Sequence, residues 1–279
     1  MVEAPRRAPG PPGIDTAVTA QWLVAFLRDE LIGRRNISRA VVGLSGGVDS
    51  AVTTYLCERA LGAENVYALR LPYATSSAAS LSDAQAVADA LGIACRTIDI
   101  TAAVDGYLQY EPDADARRRG NVMARTRMLA IFDQSAKLNA LPIGTGNKTE
   151  RLLGYFTWHA DDTPPVNPIG DLFKTQVWEL ARYLGVPRAL IDKAPSADLE
   201  ANQTDEGDLG ITYARADAIL SQLLLGYSDA QLVEHGFSPD EVSLVRRRVD
   251  STHWKRHLPT TAMLTNTAIN EFYLRPVDF

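Results

Sequence analysis

Val41-Val42-Gly43-Leu44-Ser45-Gly46-Gly47-Val48-Asp49-Ser50 is the stretch that decides the fold. Residues 40–44 are a short apolar run, the pattern of a strand buried on both faces. Two adjacent glycines then let the chain turn sharply and approach a ligand without a Cβ in the way. A helix is expected from about residue 50 to 61, stopped by Gly62. Its first turn offers unpaired N–H groups and the positive end of a dipole, and Ser45 and Ser50 add hydroxyls. Strand, glycine turn and helix start together make an anion cradle suited to phosphates. No GK[ST] follows, so this is not a Walker A loop. An aspartate, Asp49, stands in the cradle instead. It would repel phosphate unless a cation lay between them, and this implies Mg²⁺.

Outward from this loop the chain alternates. A helix is expected over 15–33, capped by Asp15 or Thr16. Strands are expected over 65–71, 93–100 and 140–144, with helices over 80–91, 102–110, 117–139 and 171–184. Such alternation predicts an α/β fold: a doubly wound parallel sheet flanked by helices, followed by C-terminal helices over 213–225 and 239–252. Ligands bind such sheets at the carboxyl ends of the strands. The loop 45–50 after strand one and the segment 145–150 after strand four therefore should share one crevice. Residues 194–211 are acidic and poor in large apolar side chains, and read as a mobile loop. Residues 1–14 read as a disordered arm, and 15–279 as a single domain.

Composition narrows the function. The chain has 279 residues, 46% of them hydrophobic, enough for a sizeable core. Its net charge of −6 argues against nucleic-acid binding, and Arg117-Arg118-Arg119 is too short to reverse that. No run of about 18 apolar residues is present, so no membrane span is expected. Two cysteines, Cys57 and Cys95, without a CxxC or a zinc-type cluster, fit packing in a reducing cytoplasm.

Further motifs sharpen the reading. They include Asn121-Val122-Met123-Ala124-Arg125, Gly144-Thr145-Gly146-Asn147-Lys148-Thr149-Glu150, Asn167-Pro168-Ile169-Gly170-Asp171-Leu172-Phe173-Lys174 and Pro195-Ser196-Ala197-Asp198-Leu199. With the glycine loop, which resembles the PP-loop of the N-type ATP pyrophosphatases, they resemble the ammonia-dependent NAD⁺ synthetase family, in that family's order. The resemblance implies that Gly43, Leu44, Ser45, Gly46, Gly47, Val48, Asp49 and Ser50 hold ATP phosphates. Thr145, Lys174 and Ser196 match nucleotide-contacting positions. Asp49 and Glu150 match magnesium-binding carboxylates, which makes Asp49, Glu150 and Lys174 the catalytic set. Arg125 matches a contact to the acceptor, deamido-NAD.

The implied reaction adenylates a carboxylate, releases pyrophosphate, and lets ammonia displace AMP. Glutamine-using members of the family carry an added amidase domain, for which the residues before Val41 leave no room, so free ammonia, or ammonia from a separate glutaminase, is expected. The family also implies a homodimer.

The chain departs from the family on the acceptor side. Trp158 stands at a lysine position, Pro165 at an aspartate position, and Trp254, beside Lys255, at a histidine position, unless His253 fills it. Trp158, Trp254 and Lys255 thus join Arg125 as acceptor-side candidates, and two tryptophans favour a flat aromatic partner. Two readings stay open: an NAD⁺ synthetase that rebuilt these contacts, or a paralogue amidating a smaller aromatic carboxylate. Rivals of other classes are a non-catalytic adenine-nucleotide binder, a tRNA-adenylating PP-loop enzyme, and a phosphoryl-transfer protein.

Overall fold

The computed structural model describes residues 8–196, 204–257, 260–262 and 264. Four parallel strands form the sheet: β1 (Ala40–Gly43), β2 (Val66–Arg70), β3 (Ala94–Thr97) and β4 (Leu141–Ile143), in the order β3-β2-β1-β4. Ala40 is in register with Val66 on one side and Leu141 on the other. The chain runs from β1 outward to β3, then returns to place β4 on the far side of β1. The switch point of the sheet therefore lies between β1 and β4, where the crevice of such a fold opens.

Both faces of β1 are covered, which explains why it is apolar throughout rather than alternating, whereas the edge strand β3 is largely exposed. Ala40 and Val42 point into one core, packed by α1 (Thr16–Arg28), α2 (Val48–Leu61), α3 (Ala78–Leu91) and α7 (Lys174–Leu184). Val41 points into the opposite core, packed by α4 (Thr101–Leu108) and α5 (Ala116–Leu138). The doubly wound arrangement is as the sequence predicts. No helix among the described residues is long and apolar enough to cross a membrane.

Helix α1 starts where Asp15 accepts the N–H groups of Ala17 and Val18, both at 3.0 Å. It ends in a π-helical turn over Asp29–Gly33. Arg28 reaches across to the carbonyls of Ala60 (2.8 Å) and Arg59 (3.0 Å), placing a cation on the carboxyl end of α2.

Several boundaries differ from expectation. Helix α2 begins at Val48, because Gly47 already serves as its extended cap. Helix α3 begins at Ala78, because the capping serine is Ser77, whose hydroxyl accepts from the N–H of Ser80 at 3.0 Å. Helix α7 begins at Lys174 rather than residue 171: Phe173 holds the extended cap conformation, and its N–H donates to Gln176 Oε1 at 2.9 Å.

The segment 194–211, read as a mobile loop, contains a helix. Thr204 caps α9 (Asp205–Leu209), and Leu209 and Ile211 are buried in a second core. A short acidic segment can fold when only two apolar side chains have a groove to fill. The remainder of the expected loop, 197–203, lies outside the described residues, as do 1–7 and most of the tail from 258. Residues 8–14 of the expected arm lie against α7: Gln176 donates to the Pro12 carbonyl at 3.2 Å and Ile14 N–H to Glu179 at 3.4 Å.

The second core is built by α6 (Lys148–Leu153), α9, α10 (Tyr213–Leu224), α11 (Asp229–Glu234) and α12 (Pro239–Ser251). Helices α8 (Arg188–Asp192) and α11 were not foreseen, being too short to show a period. This helical lobe backs the β4 side of the crevice.

Candidate functional site

The loop after β1 is fixed by its glycines. A Cβ on Gly43 would lie 2.9 Å from Ile131 Cδ1. Gly46 has φ +83°, and a Cβ there would come 2.2 Å from the Ser80 carbonyl oxygen. Both conformation and space therefore demand glycine at 46. Ser50, buried, ties the loop: its hydroxyl accepts the Ser45 N–H at 3.2 Å and donates to the Gly47 carbonyl at 3.0 Å. Ser45 Oγ lies 3.1 Å from Ser50 Oγ and accepts the Gly47 N–H at 3.3 Å. The two serines thus brace the turn. No side chain caps α2.

Asn147 connects this loop to the one after β4. It is fully buried and forms a capping box with Glu150: Glu150 N–H donates to Asn147 Oδ1 at 2.9 Å, and Asn147 N–H to Glu150 Oε2 at 3.2 Å. Its Nδ2 donates to Asp49 Oδ1 at 2.9 Å. One residue therefore fixes both carboxylates, Asp49 through its side-chain amide and Glu150 through its backbone N–H.

Lys174, at the first position of α7, completes the group. Its ammonium is bonded to Asp49 Oδ2 and lies 3.5 Å from Glu150 Oε1. The lysine side chain is 2% exposed, while Asp49 and Glu150 are 16% and 18% exposed, so the carboxylates line the crevice above a sealed cation. The ring of Tyr213 lies 5.2 Å from the ammonium, and the Tyr213 hydroxyl donates to Asp205 at 2.9 Å.

Charge is in deficit here. Burial first, then repulsion from Asp49, pushes the Glu150 carboxyl up to about 8. Burial acts to lower the Lys174 ammonium, but Asp49 and Glu150 outweigh it and hold it above the ordinary lysine value. Burial likewise raises Asp205. With all three carboxylates ionised, one lysine leaves the cluster two charges negative, the deficit a divalent cation would cancel. Among the described residues no group of three or more His, Cys, Asp or Glu side chains could hold a metal alone. Two carboxylates are what Mg²⁺ takes when phosphates and water supply the other oxygens.

Thr145 is half-buried in the loop between β4 and α6, and Ser196 is exposed at the edge of the described residues. Arg70 ends β2 and donates to the Leu81 carbonyl at 3.3 Å.

The acceptor-side residues also converge. Exposed Arg125 on α5 donates to the Trp158 carbonyl at 3.0 Å. The Trp158 ring lies 5.2 Å from the Trp254 ring, edge to face, and 3.8 Å from the His159 ring. His159 carries φ +56°, a left-handed conformation that few non-glycine residues adopt. Lys255 is differently employed: its ammonium bonds the Gly154 carbonyl at 2.7 Å and that of Phe156, fixing the segment that leads into Trp158. Pro165 is exposed.

Sequence reasoning did not single out Asn147, Tyr213, Asp205 or Asp217. Asp217 carried a signal, since a carboxylate beside Ala216, Ala218, Ile219 and Leu220 is a polar group on a buried helix face.

A parallel sheet of this order, with a glycine-bent loop at its switch point, defines an adenine-nucleotide alpha-hydrolase-like protein. The NAD synthase family pattern matches residues 19–259, and the chain belongs to that family. It is 46% identical to the NH(3)-dependent NAD(+) synthetase of Trichlorobacter lovleyi, covering 92% of this chain and 94% of that one. It is 48% identical to the protein of the same name from Chlorobaculum parvum, covering 91% of each. Among solved structures, NMN synthetase from Francisella tularensis superposes with a TM-score of 0.80 at 32% identity, over 89% of this chain and 99% of that one. NH3-dependent NAD synthetase from Campylobacter jejuni gives 0.77 at 30% identity, over 90% and 100%.

Proposed function

We propose that this chain is an ammonia-dependent NAD⁺ synthetase, an AMP-forming ligase that uses ATP to amidate deamido-NAD. The observation that carries the reading is the meeting of Asp49, Glu150 and Lys174 at the carboxyl edge of the sheet, beside an uncapped helix start. The named relatives, 46% and 48% identical along most of their length, support the substrates.

In this reading the turn 43–50 and the amino end of α2 bind the ATP phosphates, with Thr145 and Ser196 on the nucleotide. The acceptor carboxylate attacks the α-phosphorus, and the bond to the bridging oxygen breaks. Lys174 stabilises the charge that gathers on the departing pyrophosphate. Asp49 and Glu150 would hold Mg²⁺, which would supply charge neutralisation for the phosphate oxygens. Ammonia then attacks the acyl carbon, the bond to AMP breaks, and the nitrogen gives up a proton as the amide forms. Positioning and charge do this work without a protein nucleophile. Arg125 and the ring pair Trp158 and Trp254 bind the acceptor, with Lys255 shaping their loop.

The paired tryptophans favour one second reading, a smaller aromatic carboxylate as acceptor. The similarity to NMN synthetase from Francisella tularensis supports a mononucleotide in that role. Steady-state assays with ATP, ammonia and either deamido-NAD or nicotinate mononucleotide separate the two. AMP, pyrophosphate and NAD⁺ at the higher kcat/KM support the first reading. Preference for the mononucleotide replaces it with the second, and ADP plus phosphate contradicts both.

A homodimer is part of the proposal. Leu129 and Phe132 on α5, and Val18 and Trp22 on α1, are exposed apolar side chains that a second copy would cover. Free Cys57 and Cys95 support a reducing, cytoplasmic setting.

A further inference from the structure

Asp217 stands on α10 with no exposed surface, among apolar neighbours. A carboxylate in such surroundings persists only if its lone pairs are used. Here they are. Oδ1 accepts the Thr149 hydroxyl at 2.5 Å, and Oδ2 accepts the Thr175 N–H at 2.9 Å and the Thr175 hydroxyl at 2.8 Å. The Thr149 oxygen in turn accepts the Lys174 N–H at 2.9 Å.

These donors belong to the first turns of two helices. Thr149 precedes Glu150 on α6, and Thr175 follows Lys174 on α7. Phe173, the cap residue of α7, has no polar side chain with which to cap it. The first N–H groups of α7 are satisfied instead by Thr149 and by Asp217, from two other helices. The first turns of α6 and α7 thus share one carboxylate as partner, α6 through a hydroxyl and α7 through a hydroxyl and a backbone N–H.

We propose that Asp217 is a positioning residue: acting through Thr149 and Thr175, it fixes α6 against α7 and so sets the separation of Glu150 from Lys174. It touches neither group of the reacting set directly, and the inference rests on the roles given to those two residues above. A buried network whose members are all satisfied rigidifies what it joins, and small displacements at a reacting centre are costly in rate.

The test uses the full chain, with ATP, ammonia and deamido-NAD and with nicotinate mononucleotide in parallel. Thr149→Val removes the hydroxyl that joins Asp217 to Lys174, and Thr149→Ser keeps it. Thr149→Val should lower kcat on the order of 10- to 100-fold, leave the acceptor KM unchanged, and be largely rescued in Thr149→Ser. In a Lys174→Met background the same change should cost little more, because it acts through that lysine. Thr175→Val, at a half-buried site, should show the same pattern in smaller measure and remains informative if Thr149→Val does not fold. If the valine variants lower only the melting temperature while kcat per folded enzyme stays intact, or if the Thr149→Val and Lys174→Met losses multiply in full, Asp217 merely supports the fold and the inference is overturned. Should Lys174→Met itself leave kcat unaltered, the reading of the site fails, and the inference with it.

Discussion

Single residues decide the shape of the turn proposed to bind ATP. Gly46 is the sharpest case, since its φ of +83° and the Ser80 carbonyl both reject a side chain. Gly46→Ala should cost about 1–3 kcal/mol of stability and abolish detectable ATP binding, read by thermal melting and by calorimetric titration. A melting curve and an affinity like those of the parent protein would contradict the placement of this turn. Cys57 tests the core behind it: burial pushes its thiol up to about 12, so it stays protonated at neutral pH. A thiol reagent should leave Cys57 unmodified in the folded protein and reach it only after denaturation. At this scale the sequence was most legible where chemistry was unusual. Two glycines beside an aspartate, and the lysine and glutamate of long motifs, announce themselves. Asn147 did not, and Asp217 announced only that it is buried; what each one does depends on partners 98 and 68 residues away in the chain.

At the level of elements, the reacting groups sit on the first turns of α2, α6 and α7, so each helix start is part of the site. Asn147 joins two of them. Asn147→Ala removes the cap of α6 and the bond to Asp49, and should destabilise the chain by roughly 1–3 kcal/mol while raising the KM for ATP. Denaturant unfolding and kinetics together check this, and a stability loss without a change in KM would separate the cap from the site. The strands were readable as apolar runs, and the long helices by their periodicity. Helix starts were less so. The extended conformation of Gly47 and Phe173 sets where α2 and α7 begin, and that depends on tertiary contacts. Helix α9 was missed for a related reason. Its acidic sequence has no period, and it is held by a Thr204 cap and by the burial of Leu209 and Ile211 in a groove made by distant helices.

On the scale of the whole molecule, the strand order places the loops after β1 and β4 side by side, and a helical lobe closes the β4 side. The alternation of strands and helices made this layout legible, together with the shared crevice. The main helices of the lobe, expected over 213–225 and 239–252, were legible too, but not how they pack, which is a matter of shape. The exposed apolar side chains of α1 and α5 support the proposed homodimer. Leu129→Glu, at a residue 69% exposed, should leave the subunit folded and shift sedimentation from dimer to monomer. An unchanged dimer would move the interface elsewhere.

The proposed chemistry requires Asp49, Glu150 and Lys174 to meet around a metal-chelated nucleotide. A crystal structure with a non-hydrolysable ATP analogue and Mg²⁺ tests it most directly. The predicted result is one Mg²⁺ ligated by Asp49 and Glu150, the phosphates lying along the turn 43–50, and the Lys174 ammonium in contact with a phosphate oxygen. Phosphates bound away from that turn, or a metal with neither carboxylate among its ligands, would contradict it.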